Sequence, residues 1–341
     1  MACWPSSSAL VTGLVILVLG GLLVAVSPNT VTFIAAVAVY GIGVGMVDAA
    51  VKMQAAAVQR RVGTVILSSF FASWSGGAIL GAVAVSIGEG LGASYQVTVA
   101  VVALIVAVTG ALASRAFLRY GHQPHIDMDP IPVLLPWRPV VALGVAMALF
   151  YAVDFGLSNW SPIFLHDALL ASPSTAALGV AAYQVAGFFS RMTADFWTRK
   201  FGAVRVVLTG GLIATGGMLL TITSQSIPVA LAGLGITGLG ASVIAPLCFS
   251  AAAQLSSERS LDVIIARLNL FNYAGTIVGG VVIGSVLALT DPRIALVIPL
   301  AACIGLMTLA GRFGAGVEKQ NSPQIGPNTD NPNPTAPAKQ A

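Results

Sequence analysis

From Ser8 to Gly314 the chain is a succession of ten apolar segments joined by short polar connections. They cover 8–26, 30–58, 63–88, 92–114, 138–165, 172–198, 203–224, 227–254, 262–289 and 292–314. A helix needs about 20 mostly apolar residues to cross a hydrocarbon layer, and every segment meets that length. The longer ones imply tilt or extension past the layer. The period-two alternation of a membrane β-barrel is absent and the runs are too long for strands. Soluble domains carry about 25% charged residues, whereas this chain has 8% and cannot clothe itself in a solvated surface. The fold class expected is an all-α polytopic membrane protein whose immediate partner is the lipid bilayer.

A signal peptide is the rival reading of the first run. The residues before it, "MACWPSS", hold no Lys or Arg, and the run is long for a cleaved apolar region, so a spanning helix is expected. Two stretches are not membrane: a Pro- and His-containing linker over 115–137, and an Asn/Pro-rich, disordered tail over 315–341.

Lys and Arg fall on alternate connections: Arg60 and Arg61; Arg115, Arg119 and Arg138; Arg199, Lys200 and Arg205; Arg259 and Arg267; then Arg312 and Lys319. The intervening connections carry only Arg293. The positive-inside rule then puts the basic loops and both termini on the cytoplasmic side of a plasma membrane, the inner membrane in a bacterium. The formal charge of +4 is used up in this bias and gives no reason to expect nucleic acid.

An internal repeat is legible. "YGIGVGMVDAA" (40–50) leads through a basic loop to "SWSGGAILGA" (73–82), and "AGLGITGLGAS" (232–242) leads through another to "NYAGTIVGG" (272–280). In both units a Gly-rich helix precedes a Gly-x-x-x-Gly step, Gly77–Gly81 and Gly275–Gly279. The units lie six helices apart, and an even offset makes the repeat parallel. Steps of this kind let helix backbones approach closely, so these glycines, with Gly41, Gly43 and Gly45, are expected at packing surfaces and hinges.

The segment 41–82 resembles the fourth and fifth helices of the major facilitator superfamily, in its bacterial fucose-permease-like branch. Asp48, Ala50, Gln54, Val58, Arg60, Ser69, Phe70 and Ser75 fit that branch's pattern, while Lys52, Gln59 and Phe71 depart from it. "DFGLSNWSPIFL" (154–165) looks like the seventh helix, with Asp154 in place of a Glu, Asn159 in place of an Asp, and Trp160 fitting. "SRMTADFWTRKFG" (190–202) looks like the second copy of the superfamily's loop signature, through Arg191, Asp195, Arg199 and Gly202. The resemblance spans about 30–314. It implies two pseudo-symmetric bundles: a four-helix bundle over 1–114 and a six-helix bundle over 138–314, joined by the cytoplasmic linker. It also implies that the first two of the superfamily's twelve helices have no counterpart here. The function implied is secondary transport of a small polar solute by alternating access, with protons as a candidate coupling ion, by a monomer. A non-transporting remnant or partner subunit, and a ten-helix carrier of another superfamily, are the alternatives.

Asp48 and Lys52 are four residues apart and share a helix face. A charge at the centre of a spanning helix costs at least about 2.5–3.5 kcal/mol. Lys52 is close enough to Arg60 to snorkel toward the cytoplasm, but Asp48 is deeper. Asp48 and Asp154 are therefore candidate cavity carboxylates for solute or proton, with an ion pair or an interhelix hydrogen bond as the structural alternative. Lys52, Gln54, Trp74, Asn159, Trp160, Tyr183, Gln184, Asn269 and Asn272 join them as candidate cavity residues, though Trp160 could equally be an interfacial anchor and the amides helix ties. Arg60, Arg61, Arg191, Asp195 and Arg199 form a candidate cytoplasmic gate, with a plain positive-inside anchor as its alternative.

Catalysis has little support. The histidines are His122, His125 and His166, and neither His-Glu-x-x-His nor Gly-x-Ser-x-Gly occurs. Cys3, Cys248 and Cys303 are too scattered for a disulfide framework. "HQPHIDMD" (122–129) is expected to be solvated linker rather than a metal site. No cofactor or metal is expected.

Overall fold

The computed structural model describes residues 6–62, 67–115, 137–255 and 261–314, and all the regular structure in these is helical. Residues 116–136 of the expected linker, the tail and the histidines of "HQPHIDMD" lie outside the described residues.

Helices α1 (Ser6–Val26), α2 (Thr30–Val62), α3 (Leu67–Gly90) and α4 (Tyr95–Ser114) form the first bundle. α1 is its centre and packs on both α2 and α4. The second bundle holds α5 (Trp137–Leu169), α6 (Pro173–Phe201), α7 (Ala203–Thr223), α8 (Ile227–Ala241), α9 (Ile244–Leu255), α10 (Leu261–Ile277), α11 (Ile283–Leu289), α12 (Pro292–Ala295) and α13 (Val297–Leu309). Here α5 is central, touching α6, α10 and α13, while α7 lies against α8 and α13.

The two bundles are packed differently. The second buries large side chains, among them Phe150, Phe164, Tyr183, Leu143, Met147 and Leu234, around α5. Among the described residues, the buried apolar ones of the first are Leu10 and the alanines Ala25, Ala36, Ala50 and Ala103. Its cohesion comes from close backbone contact between α1 and α2. A Cβ on Gly43 would lie 2.5 Å from the Leu17 nitrogen, and one on Gly20 would lie 2.6 Å from the Tyr40 Cα.

Among the described residues, eight stretches are long and apolar enough to cross a membrane by length and composition. α3 and α6 pack against each other to form the seam between the bundles. A helix facing lipid all round must be apolar, but one covered by protein can carry buried Ser75, Gln184 and Arg191 provided they find partners.

The Gly-x-x-x-Gly steps correct one expectation. Gly275 and Gly279 do seat α10 on α5, where added Cβ atoms would collide with the carbonyl oxygens of Ala148 and Ala152. At Gly77 and Gly81 a Cβ would meet nothing within 4 Å among the described residues, and the same holds at Gly41 and Gly45. Of the two Gly-x-x-x-Gly steps, only Gly275–Gly279 makes a close helix crossing among the described residues.

Among the described residues, irregularities interrupt several helices of the second bundle, and two of them lie near polar side chains. The span beginning with α8 breaks at Ser242 and Val243 before α9 resumes. Between α10 and α11 the backbone takes a π-helical turn over Val278–Val282; such turns frequently occur at functional positions.

Candidate functional site

The polar centre of the molecule is built on Asp154 of α5 and Arg191 of α6. Their side chains are 4% and 3% exposed, and Nη2 donates to Oδ1 at 3.3 Å. Arg191 Nη1 donates to Gln184 Oε1 at 3.5 Å and also to Ser75 Oγ of α3. Gln184 Nε2 in turn donates to Ser158 Oγ at 3.2 Å. The guanidinium lies 6.0 Å from the Phe150 ring centroid, within range of a cation–π contact. The chain of partners thus runs from the first bundle through α6 to α5.

The sequence reading puts Arg191 in a cytoplasmic gate; its guanidinium lies among Asp154, Gln184 and Ser75. Side chains on a helix lean toward its N-terminus, so a long arginine stem can lie back along its own helix. One turn earlier stands Gly187. A Cβ there would come 2.5 Å from Ser242 Oγ and 3.6 Å from Arg191 Nη1. The missing side chain at 187 gives the guanidinium its path to Gln184 and Asp154.

The group continues to Tyr183 and Ser242. Tyr183 is fully buried, and its hydroxyl lies against the Asp154 carboxylate. Arg191 Nε and Ser242 Oγ are buried and complete no hydrogen bond among the described residues. Ser242 sits at the break between α8 and α9, and the neighbouring Leu239 carbonyl accepts from Ser190 Oγ at 2.6 Å. Interrupted spans recur at the midplane sites of transporters because they free backbone polar groups inside protein.

Asp48 forms a second bridge between the bundles. Its side chain is partly exposed, and Tyr273 of α10 donates to Oδ2 at 3.3 Å. Tyr151 is in electrostatic reach of Asp48, Asp154 and Arg191 together, which brings both expected carboxylates into one region.

The other expected cavity residues divide. Gln184 joins the Arg191 group, and Gln54 and Asn272 are buried on α2 and α10. The Asn272 carbonyl and Oδ1 accept from Thr276 Oγ1 at 3.0 and 3.4 Å. Asn269 is half-buried on α10. Asn159 is exposed and its Nδ2 donates to its own helix at Phe155 O, 2.7 Å away. Trp74 is 49% exposed. Trp160 is an interhelix tie: Nε1 donates to Gly279 O at 2.9 Å inside the π-turn, and its ring covers Gly284. Arg199 is exposed at the end of α6. The side chains of Lys52, Arg60, Arg61 and Asp195 lie outside the described residues.

Ser75, Ser158 and Ser242 escape sequence reasoning as site residues, because a serine in a spanning helix is ordinary unless its partner is known. The available signal is a glycine one turn before an arginine, Gly187 and Arg191.

Comparisons with known proteins agree with this architecture. Residues 143–340 match the family described as Major Facilitator Superfamily. An uncharacterized MFS-type transporter of Yersinia pestis is 27% identical over 278 residues, covering 82% of this chain and 70% of that protein. An uncharacterized transporter of Sinorhizobium fredii is 31% identical over 250 residues, and the chain spans 64% of its length while 72% of this chain is covered. Among solved structures, FucP, an MFS transporter in its outward conformation, superposes with a TM-score of 0.60 over 91% of this chain and 83% of its own, at 19% identity, a likeness of fold alone. With over half of its residues matched to that family and its helices arranged in the family's two bundles, the chain belongs to the Major Facilitator Superfamily.

Proposed function

We propose that the protein is a secondary transporter that moves a small polar organic solute across a plasma membrane by alternating access, with Asp154, Arg191, Tyr183 and Gln184 at the solute site. The observation that carries this reading is the buried Asp154–Arg191 pair. Burying two ions inside a membrane protein costs several kcal/mol per ion before pairing, and such residues are generally kept for transport paths and relays. This pair also reaches into the opposite bundle through Ser75, so rocking the bundles must remake its hydrogen bonds. Membership of a transporter family adds to the case.

Asp48 and Tyr273 are the second moving contact in this reading, and Asp48 and Asp154 are the carboxylates available to carry a proton. Gln59 and Asn159 do not titrate, so a coupled cycle would rest on these two acids. The basic connections and termini face the cytoplasm, and the working unit is a monomer.

The test is flux in proteoliposomes carrying the full chain, over a set of labelled sugars, organic acids and amines. Asp154→Asn should insert normally and lower the flux of the transported solute by at least about tenfold, the loss of one charged hydrogen bond. Undiminished flux in that variant removes Asp154 from the site. Collapse of an imposed pH gradient should end accumulation above equilibrium; accumulation that persists excludes protons as the coupling ion.

A further inference from the structure

We infer that the solute is an anion, a small organic carboxylate whose oxygens engage Arg191 and Tyr183 at the seam of the two bundles. The inference rests on the transport reading proposed for this site and names its substrate class.

Not every donor of Arg191 is used at the seam. Arginine offers five N–H donors and accepts nothing. Arg191 places Nη1 on Ser75 and Gln184 and Nη2 on Asp154, while Nε is buried without a partner among the described residues. Buried polar groups are almost always satisfied, and the exceptions tend to mark function. Ser242 Oγ beside Gly187 is a second buried group without a partner among the described residues. The Tyr183 hydroxyl, two turns earlier on α6, lies against Asp154 and can turn to a ligand in its place. An N–H can be satisfied only by an acceptor, and both hydroxyls can donate to one.

Arg191 pairs with Asp154, so this pair adds no net charge, and Asp48 is held apart from it by Tyr273. A carboxylate can take the guanidinium in a bidentate grip, the geometry for which arginine is best suited. In that role Asp154 is the resting counter-ion that keeps Arg191 in place between cycles. Because Ser75 belongs to the first bundle and the rest to the second, a ligand bound here touches both halves.

The experiment is thermal unfolding of the purified full chain in detergent with acetate, lactate, succinate, gluconate and glucuronate, each beside a neutral amide or alcohol counterpart and an amine counterpart of the same skeleton. At least one carboxylate should raise Tm in a saturable way, with its neutral and amine counterparts without effect. Tyr183→Phe, which removes one hydroxyl from the site, should weaken the Kd of that carboxylate by about tenfold. Arg191→Gln combined with Asp154→Asn, which leaves no lone buried charge, should abolish the shift. No shift from any carboxylate, or a shift that survives the double variant, overturns the inference. Flux separates it from the reading beneath it. A carboxylate that binds through Arg191 but is not moved in proteoliposomes defeats transport and leaves anion recognition standing. A neutral or amine solute moved in preference does the reverse.

Discussion

Arg191 folds back along its own helix over Gly187, and its Nη2 comes to lie 3.3 Å from Asp154 Oδ1 on the neighbouring helix. One consequence is energetic. Removing one partner of a buried pair strands the other charge, at about 3–5 kcal/mol, whereas removing both is far cheaper. Asp154→Asn and Arg191→Gln should each destabilise by about that much, and the double variant should recover a large part. Unfolding curves in detergent, read as a double-mutant cycle, check this; strictly additive effects would show that the two side chains do not interact.

The clearance at position 187 can be tested apart from the charges. Gly187→Leu keeps every polar group but puts side-chain atoms where Ser242 and the guanidinium lie. It should cost about 1–3 kcal/mol as overpacking and reduce flux as severely as loss of Arg191. Ser242→Ala, which opens space on the opposing element, should restore part of the stability. A stable Gly187→Leu protein with normal flux would mean the arginine has another route.

Trp160 offers a control in which structure and transport come apart. Trp160→Phe deletes the donor to Gly279 O and should lower stability by about 0.6–1.7 kcal/mol, the range for polar ties between membrane helices. The solute KM should stay unchanged. A raised KM at unchanged stability would instead make Trp160 a ligand contact.

The Asp48–Tyr273 bond reports on the seam between the bundles. At 3.3 Å it is long for an O–H donor, so it is weak and easily remade. Tyr273→Phe should alter stability by less than about 1 kcal/mol yet change the turnover rate, as the proposed rocking of the bundles would break and remake the contact. Asp48→Asn should lower flux while the protein still inserts. Equal turnover in wild type and both variants would reduce the contact to surface packing.

How far the sequence reaches can be judged on particular residues. The periodicity of apolar segments and the bias of Lys and Arg suffice for a polytopic helical protein, because lipid leaves a backbone few other choices. Asp154 stands out in the sequence for the same reason: an acid in mid-helix has to be compensated. Arg191 does not, since membership of a run with Arg199 and Lys200 makes it look like one more interfacial charge. Nor can spacing tell the open Gly77–Gly81 step from the packed Gly275–Gly279 step, as the two differ only in whether a helix lies opposite.

The sequence by itself therefore determined the solvent and the helical kind of the elements, and marked out Asp154 as a residue that needs a partner. Only the tertiary structure decided which arginine answers Asp154, that Ser75 joins it from the other bundle, and that Trp160 closes a π-turn. Lipid acts on each helix separately and can be read one segment at a time. Partners on α3, α5, α6 and the α8–α9 break are brought together by packing, and no local pattern records that.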